Sequence, residues 1–278
     1  MSVEYRRVRV SSALSRSGLY DLDYAYNPYA GCAHGCLYCY ARAFTRYRDA
    51  AEHWGRVVYI KENAPEVLER EVRAARRGVV GVSTITDPYQ PVEEGERLTR
   101  RGLEVLLGAG FRVSIQTKSD LVLRDLDLLS RYRHLVDVGL TITTMSRGVA
   151  ELMEPGAPPP EARAAALERL SGEGIETWVF LGPILRGVND SRESIRAVAE
   201  VAQRAGARLY FDYFRMKPGL GRAMGAILAR HPQALDTSWA WRSRVAKLVE
   251  RVCSELGLEC HPPRAPSRAG GGDLTRFF

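Results

Sequence analysis

The chain has 278 residues, of which 45% are hydrophobic, 26% charged and 9% aromatic. This balance is typical of a globular protein and excludes a disordered chain, a collagen-like repeat and a small disulfide-rich scaffold. The length suits one domain the size of an α/β barrel with appendages, rather than two large domains. A formal net charge of +7 weakly favours polyanionic or phosphorylated partners.

Neither a targeting segment nor a membrane span is visible in the sequence. Residues Met1–Val10 are polar and charged, whereas a secretory signal needs an apolar central run. The longest uncharged run, Tyr24–Ala41, contains Asn, Pro, Gly and Cys and lacks the apolar character of a spanning helix. We therefore expect a soluble, cytoplasmic protein without membrane contact, and we favour a monomer.

Short apolar runs alternate with helical patterns along most of the chain. Each strand-like run is followed by apolar residues at spacings of three and four, which is typical of a helix. Six strand–helix units predict parallel strands joined by helical crossovers, and six are too few to close an eight-stranded barrel. We predict an α/β fold, a partial (β/α)6 barrel, with strands over Asp21–Pro28, Val79–Ile85, Phe111–Thr117, Val136–Ile142, Ile175–Leu181 and Ala207–Phe214.

Two helices have clear boundaries in the sequence. Asp190 and Ser191 are typical starts for the helix after the fifth strand, and a last helix is predicted over Trp239–Leu256, ending at Gly257. The tail that follows is rich in Pro, Gly and Arg, and we expect its final pair, Phe277–Phe278, to dock on the protein. We divide the chain into an N-terminal extension (1–20), the partial barrel (21–215), and C-terminal helices with an irregular tail (216–278).

Three of the five Cys residues, Cys32, Cys36 and Cys39, lie within eight residues directly after the first predicted strand. In a chain without a signal peptide, this spacing is typical of a metal or cluster site rather than of disulfides. Three thiolates leave one iron of a four-iron cluster free for a substrate or cofactor to chelate. A structural zinc needs a fourth ligand, and His34 lies too close along the chain to join both neighbours comfortably. Zinc and unligated thiols remain the alternatives.

The motif Asn-Pro-Tyr-Ala-Gly-Cys-Ala-His-Gly-Cys-Leu-Tyr-Cys-Tyr, over Asn27–Tyr40, resembles the radical S-adenosylmethionine (SAM) superfamily, in the branch grouped with spore photoproduct lyase. The resemblance implies a [4Fe–4S] cluster bound by the three Cys residues at the C-terminal mouth of a partial barrel. It also implies SAM as cofactor, a reductant such as ferredoxin or flavodoxin, and a 5′-deoxyadenosyl radical that abstracts hydrogen from a substrate. It covers roughly residues 20–215 through four further matches: Thr86–Glu93, Gln116–Ser119, Thr141–Thr143 and Pro183–Asp190.

The resemblance further implies a set of SAM contacts. Lys118 would bind the SAM carboxylate, Asp87 with help from Thr86 would hold the amine, and Thr143 would contact the ribose or carboxylate. Each also has a structural alternative: a strand-end Lys, a turn starter or the last residue of a strand. The remaining cofactor contacts are expected around the adenine and the third Cys, from Tyr38, Tyr40, Leu185, Gly187 and Asp190.

One feature of spore photoproduct lyase is absent from this chain. That enzyme donates hydrogen from a Cys just after the second strand, whereas Gly81–Asp87 contains no thiol. We therefore expect a substrate other than the spore photoproduct, with nucleic acid or a nucleotide favoured by the positive charge and the branch. Tyr29, Tyr40 and Tyr89 are the candidate phenolic hydrogen donors near the mouth, and we select Tyr40 and Tyr89 as catalytic candidates.

The last two Cys residues are interpreted separately. Cys253 lies on the apolar face of the last helix, which predicts a buried and inert thiol. Cys260 lies in chain predicted to be irregular, and it would be the displaced hydrogen donor if the protein were a true lesion lyase. A non-enzymatic iron–sulfur or zinc binding module is the third hypothesis.

Overall fold

The structure is a computed structural model, and it describes residues 2–262. The larger of its two sheets has eight strands and the smaller has three. The strands formed within this range are β1 (Glu4–Val8), β2 (Leu14–Arg16), β3 (Tyr24–Tyr26), β4 (Tyr29–Ala30), β5 (Val57–Lys61), β6 (Val79–Val82), β7 (Arg112–Thr117), β8 (Val136–Thr141), β9 (Glu176–Ile184), β10 (Arg208–Tyr213) and β11 (Cys260–His261).

The larger sheet has the strand order β11-β10-β9-β8-β7-β6-β3-β2. The six predicted strands are its central members, β3 and β6 to β10, and each pairs in parallel with its neighbour. β2 adds an antiparallel strand at one edge, and β11 adds a short parallel strand at the other. The predicted α/β architecture of a partial (β/α)6 barrel is confirmed.

Helices fill the crossovers between the parallel strands. The side chain of Ser191 accepts a hydrogen bond from the backbone N–H of Ser194 and so begins the helix after β9, as predicted. The last helix has the predicted bounds and ends at Gly257, whose φ is 63°. Within residues 2–262, no helix has both the length and the apolar character needed to cross a membrane. The α-helices are α1 (Arg48–Glu52), α2 (Ala64–Val72), α3 (Glu93–Glu96), α4 (Leu98–Gly108), α5 (Leu126–Arg131), α6 (Arg147–Met153), α7 (Pro160–Gly172), α8 (Arg192–Arg204), α9 (Leu220–Ala223), α10 (Gly225–Leu228) and α11 (Trp239–Leu256).

The core lies between the larger sheet and the helices that cover it. Along β7, the side chains of Val113 and Ile115 are fully buried, and burial of each contributes roughly 1.5–3 kcal/mol. The opposite face is polar, because Ser114 donates to Asp137 of β8 at 2.7 Å and the indole of Trp178 in β9 donates to the same carboxylate. The apolar face of β7 therefore packs against the helices, and its opposite face carries polar side chains.

The smaller sheet, with the order β1-β5-β4, was not predicted from the sequence. β1 belongs to the segment interpreted as an N-terminal extension, and it pairs in parallel with β5. β4 pairs with β5 in the antiparallel direction, just before the three clustered Cys residues. The beginning of the chain is therefore integrated into the fold and supports the segment that leads into the cysteine loop.

Cys253 and Cys260 form a disulfide, and their Cα atoms are 6.2 Å apart. The expectation of a free, inert Cys253 thiol is therefore wrong, and so is the expectation that Cys260 lies in irregular chain. The reason is the turn at Gly257, which ends α11 and returns the chain beside β10, where Cys260 is aligned with Leu209. Cys260 carries no hydrogen to donate while this bond is intact. The predicted docking of Phe277–Phe278 lies outside the described residues.

Candidate functional site

The cysteine loop, defined as residues 31–39, lies at the carboxyl end of the parallel strands. It joins β4 to a 3-10 helix that begins at Tyr40. The hydroxyl of Tyr40 donates to the backbone carbonyl of Thr84 at 2.7 Å, and the hydroxyl of Thr86 donates to the carbonyl of Gly31. Both contacts reach the segment after β6. Parallel barrels carry their chemistry at this end, because the loops that follow the strands converge there.

Two glycines determine the shape of the cysteine loop. Gly31 has a φ of 79° and Gly35 a φ of 61°, in the left-handed region that favours glycine. A Cβ atom on Gly31 would also lie only 2.4 Å from the backbone oxygen of Val57 in β5. The turn that places the first thiol therefore requires glycine both for its backbone conformation and for its close approach to β5.

The three thiols of the loop are free, and Cys32 and Cys36 are buried while Cys39 is half-buried. Burial raises the pKa of all three, and it raises that of Cys36 to about 12 although Lys118 opposes the shift. The metal-free chain therefore holds neutral thiols at neutral pH, and a bound cation would convert them to thiolates. Three sulfur donors on one nine-residue loop match the ligands of an iron–sulfur cluster.

A single metal ion fits this arrangement less well than a cluster. Within residues 2–262, no three His, Cys, Asp or Glu side chains converge closely enough to hold one ion. His34 is buried, and its Nδ1 lies 3.3 Å from a carboxylate oxygen of Asp87, a partner outside the loop. Tetrahedral zinc needs four ligands around one centre, whereas the thiolates of a four-iron cluster surround a larger body. The donor set therefore fits a [4Fe–4S] cluster.

Lys118 directly follows β7 and lies beside the cysteine loop. Its Nζ is 5.7 Å from the centre of the Tyr38 ring. Among residues 2–262, this ammonium forms no hydrogen bond or ion pair, and Lys118 is half-buried. Burial lowers the pKa of Lys118, but Cys36 and Glu154 outweigh this effect, so that the net pKa is raised. A charged ammonium with free N–H donors is suited to binding a carboxylate.

Asp87 is buried, and its carboxylate has several partners within the chain. It accepts hydrogen bonds from the hydroxyl of Thr117 at 2.6 Å and from the backbone N–H groups of Tyr89 and Lys118, both at 2.9 Å. Burial alone would raise the pKa of Asp87, but His34 and these hydrogen bonds hold it at about 2. Asp87 therefore connects the end of β7 to the segment after β6, and both of its oxygens are engaged.

Tyr38, between the second and third Cys, is linked to a buried ion pair. Its hydroxyl donates to the carboxylate of Glu154, which also accepts from the hydroxyl of Thr143 at 3.1 Å. Arg163 of α7 lies 2.5 Å from the other carboxylate oxygen, and both charged residues are 1% exposed. Glu154 and Arg163 could not be predicted from the sequence, because no local pattern marks them and Tyr38 is 116 positions away from Glu154.

The loop after β9 contains the residues predicted to face the adenine. Leu185 is fully buried, and its N–H donates to the side chain of Asn189 at 2.7 Å. Gly187 is exposed, has a φ of 71° and donates its N–H to Asp190 at 2.7 Å. Asn189, which the sequence analysis did not select, also donates to the carbonyl of Thr143 at 2.8 Å. This amide therefore joins the loops after β8 and β9 beside the cysteine loop.

The three tyrosines proposed as hydrogen donors have different environments. Tyr40 is 46% exposed at the mouth. Tyr89 and Tyr29 are fully buried, and their hydroxyls donate to the carboxylates of Asp125 and Glu93 at 3.1 and 2.5 Å. Tyr40 can therefore contact a substrate at the mouth, whereas Tyr89 and Tyr29 would first have to leave buried carboxylate partners.

Sequence comparison identifies relatives of this chain. The family model described as the Radical SAM superfamily matches residues 26–199. An uncharacterized protein of Methanocaldococcus jannaschii is 32% identical over 188 residues, which are 68% of this chain and 70% of that protein. An uncharacterized protein of Mycobacterium tuberculosis is 32% identical over 215 residues, which are 74% of this chain but only 63% of that protein.

Structural comparison supports the same fold. Spore photoproduct lyase complexed with dinucleoside spore photoproduct superposes with a TM-score of 0.67. The match covers 93% of this chain and 81% of the lyase at 16% sequence identity. At this level of identity, the likeness shows a shared fold alone.

Proposed function

The chain belongs to the radical SAM superfamily, and from this premise we propose that it cleaves SAM reductively and abstracts a hydrogen atom from a nucleic acid or nucleotide. Like its superfamily, it uses a [4Fe–4S] cluster and SAM. When bound, the cluster supplies the electron that cleaves the SAM sulfonium to methionine and a 5′-deoxyadenosyl radical. The proposal rests on one juxtaposition: three free thiols and the Lys118 ammonium, which has no ion-pair partner among residues 2–262, lie at the same end of the sheet.

The residues around the mouth have distinct proposed roles. Cys32, Cys36 and Cys39 would bind three irons of the cluster, and Lys118 would bind the SAM carboxylate. The contact of Asp87 with the SAM amine stays a prediction, and the observed hydrogen bonds favour a role in fixing the Lys118 backbone. The adenine and ribose would be placed by the loops after β8 and β9 and by the aromatic ring in the cysteine loop, with contacts from Tyr38, Tyr40, Thr86, Thr143, Leu185 and Gly187.

Tyr40 is the better supported of the two tyrosine hydrogen donors. It is nearly half exposed and directly follows the third Cys, whereas Tyr89 is fully buried against Asp125. A substrate bound at the mouth could therefore approach the Tyr40 phenol without any change in the core. In this proposal, Tyr40 returns hydrogen to the substrate or contacts the cofactor, and Tyr89 supports the fold.

A basic and aromatic surface around Tyr40, the rim surface, supports a nucleic acid substrate. It consists of Tyr40, Phe44 and Lys217, together with Arg42 and Arg46 from the same short segment of the chain. The Phe44 ring lies edge to face with Tyr40 at 5.7 Å between ring centres, and the Lys217 Nζ lies 5.3 Å from the Phe44 ring centre. Arg46 is exposed. Surfaces that bind single-stranded nucleic acid combine cationic groups for phosphates with aromatic rings on which bases stack.

The runner-up function is a lesion lyase of the spore photoproduct type. The structural likeness to a lyase complexed with a dinucleoside photoproduct favours it. The chain, however, has no thiol in Gly81–Asp87, and the replacement donor Cys260 is bonded to Cys253. We therefore favour a different substrate. We further propose that the protein acts in the cytoplasm, where a ferredoxin or flavodoxin would supply the electron.

The proposed chemistry is tested by anaerobic reconstitution with iron and sulfide. We expect about four irons per chain, and 5′-deoxyadenosine after addition of SAM and a reductant. Replacement of Cys32, Cys36 or Cys39 by Ala should abolish both. The matched control is Cys253→Ala/Cys260→Ala, which should retain both because its sulfur atoms lie in the disulfide. Stoichiometric zinc without iron, or no 5′-deoxyadenosine from the iron-loaded chain, would contradict the proposal.

The substrate class is tested by the binding of a mixed-sequence single-stranded oligonucleotide, followed by fluorescence anisotropy over a range of salt concentrations. Arg46→Ala should weaken binding and lower the slope of log Kd against log salt by about 1, as expected for one lost phosphate contact. The control is Arg76→Ala, because Arg76 is exposed just before β6, at the amino end of the sheet. Equal effects of the two substitutions would contradict a specific rim surface.

A further inference from the structure

The segment Met153–Gly156, which connects α6 to α7, contacts the cysteine loop at three points. The N–H of Leu37 donates to the carbonyl of Met153 at 2.9 Å, and the N–H of Gly156 donates to the carbonyl of His34 at 3.0 Å. Between these backbone contacts, the Glu154 carboxylate accepts the hydroxyl of Tyr38. The segment is therefore joined to the loop on both sides of Cys36.

Close packing allows this contact only with a glycine at position 156. A Cβ atom there would lie 2.4 Å from the carbonyl oxygen of Ala33 and 3.1 Å from that of His34. Both atoms belong to the backbone between the first two Cys residues, so they cannot move without changing the loop. The contact between the segment and the loop is therefore determined by backbone as well as by side chains.

On its other side, Glu154 forms a buried ion pair with Arg163. Arg163 lies 2.5 Å from its carboxylate and also donates to the backbone carbonyls of Thr141 at 3.1 Å and Pro158 at 2.8 Å. The guanidinium therefore connects Glu154 to the end of β8 and to the start of α7. A buried ion pair of this kind contributes little net stability compared with apolar residues of similar size. Here the backbone contacts of Arg163 determine where the pair lies. Orientation of the loop is the property that such a pair can provide.

We propose that Glu154 is a positioning residue for the cluster. Glu154 holds the stretch from Cys36 to Cys39 in its cluster-binding shape before iron is bound. It acts through Tyr38, the side chain that lies between these two ligands. The inference rests on the proposed function only in assuming that the loop binds an iron–sulfur cluster. Partners outside the direct ligands commonly change metal affinity by about 10–100-fold when they are replaced.

The chain contains a closely matched control for Glu154. Glu93 is also fully buried, also accepts a tyrosine hydroxyl, that of Tyr29, and also pairs with an arginine, Arg124, at 2.7 Å. Its tyrosine, however, lies in β4 and not between cluster ligands. Glu154→Gln and Glu93→Gln therefore remove the same kind of buried charge at two places, only one of which is proposed to position the loop.

The experiment has one readout on the metal-free chain and one on the iron-loaded chain. In the first, the alkylation rates of Cys36 and Cys39 are measured by mass spectrometry, and we expect them to rise in Glu154→Gln but not in Glu93→Gln. In the second, transfer of iron to a chelator should be about 10-fold faster in Glu154→Gln only. Since Glu154→Gln leaves a buried cation, Glu154→Gln/Arg163→Met is measured as well and should behave in the same way.

Action through Tyr38 is tested by a double-mutant cycle. Tyr38→Phe should reproduce the faster iron loss, and Glu154→Gln should add little to it in that background. The proposal is overturned if folded Glu154→Gln/Arg163→Met keeps wild-type alkylation and iron-release rates, or if Glu93→Gln changes them equally. If the wild type binds no iron, the proposed function fails, but the alkylation rates still decide whether Glu154 positions the loop.

Discussion

At the scale of single residues, the environments of Lys118 and Asp87 separate a ligand-binding role from a structural one. The Lys118 ammonium has no hydrogen-bond acceptor among residues 2–262, although it lies at the mouth beside the cysteine loop. The Asp87 carboxylate is instead saturated by Thr117, Tyr89 and the backbone of Lys118 itself. Lys118 thus presents free N–H donors to an incoming anion, and Asp87 holds the end of β7 that carries Lys118.

Replacement of Lys118 tests its assignment to the SAM carboxylate. We expect Lys118→Ala to weaken SAM binding to the iron-loaded protein by roughly 1.5–3 kcal/mol, because a charged hydrogen bond is lost. Lys217→Ala is the matched control, since Lys217 also lies over an aromatic ring at the mouth and is not assigned to SAM. Equilibrium dialysis with labelled SAM measures both affinities, and unchanged affinity in Lys118→Ala would contradict the assignment.

The low pKa of Asp87 makes a prediction about stability and pH. The folded-state pKa of about 2 lies below the ordinary value of 3.8, so the ionised form is stabilised in the folded chain. The resulting contribution, about 2 kcal/mol, is present above pH 4 and is lost as the pH falls towards 2. Urea unfolding of the metal-free chain should therefore show Asp87→Asn less stable than wild type at pH 7, with a gap that narrows below pH 4.

The same urea unfolding series can contradict the stabilising role of the Asp87 charge. A stability gap between wild type and Asp87→Asn that stays constant from pH 7 to pH 3 would show that the carboxylate charge contributes nothing. Val113→Ala is a suitable control, because Val113 is a fully buried apolar residue of β7 and its replacement removes no hydrogen bond to a carboxylate. Its stability difference should not vary in the way predicted for Asp87.

Residue types at strand ends could be predicted from the sequence, but their partners could not. The three Cys residues and Lys118 follow from local spacing and from their place after predicted strands. Glu154 and Arg163 are brought to Tyr38 by tertiary structure alone, across 116 positions in the first case. Nothing within a few residues of Glu154 distinguishes it from the other acidic residues of the chain, so only the fold identifies it.

At the scale of secondary structure elements, the parallel strands were predictable and the edges of the fold were not. β6 to β10 are bounded by helices and turn residues, and this alternation is visible in the sequence. β5 was missed because Val57–Lys61 is a single short run in the long crossover between β3 and β6. β11 has only two residues, too few for periodicity, and its existence depends on pairing with β10.

The disulfide between α11 and β11 makes a prediction at this scale. A sequence separation of seven residues corresponds to about 2–3 kcal/mol of stabilisation in the chain-entropy treatment. We expect Cys253→Ser/Cys260→Ser to lower the free energy of unfolding of the metal-free chain by about this amount. A reductant should shift wild type to the value of the double variant and leave the variant unchanged. Identical unfolding curves for oxidised and reduced wild type would contradict the prediction.

The disulfide between Cys253 and Cys260 bears on the proposal that the protein acts in the cytoplasm. Structural disulfides are rare in the reducing cytosol of mesophiles and common in the intracellular proteins of hyperthermophiles. The bond joins the last helix to the edge of the sheet, on elements other than those that carry the cysteine loop. Reduction is therefore expected to change the stability of this edge without removing the proposed cluster site.

At the scale of the whole molecule, the strand order and the parallel direction of the strands determine where the candidate site forms. Parallel strands place the segments after β3, β6, β7, β8 and β9 at one end of the sheet, so residues far apart in sequence meet there. The sequence could predict this convergence from six strand–helix units. It could not predict which tyrosine is exposed, because the exposure of Tyr40 and the burial of Tyr89 depend on the packing of several loops.

The same topology limits the reactions that the molecule can complete. A substrate radical formed at the mouth must regain a hydrogen atom from a group that reaches it. Cys260 is oxidised in the disulfide, and Gly81–Asp87 offers only hydroxyl groups, whose O–H bonds are too strong to quench a thyminyl radical. Of Tyr29, Tyr40 and Tyr89, only Tyr40 has substantial exposure, and its hydroxyl donates to the carbonyl of Thr84.

We therefore predict that the protein cleaves SAM but does not repair the spore photoproduct over multiple turnovers. The assay is anaerobic incubation of the iron-loaded chain with reductant, SAM and the synthetic dinucleotide lesion, followed by chromatography for the thymine dinucleotide. 5′-Deoxyadenosine without repaired dinucleotide is the expected result. Repeated turnover would refute the prediction, and Tyr40→Phe and Cys253→Ser/Cys260→Ser would then distinguish a phenolic donor from a thiol released by reduction of the disulfide.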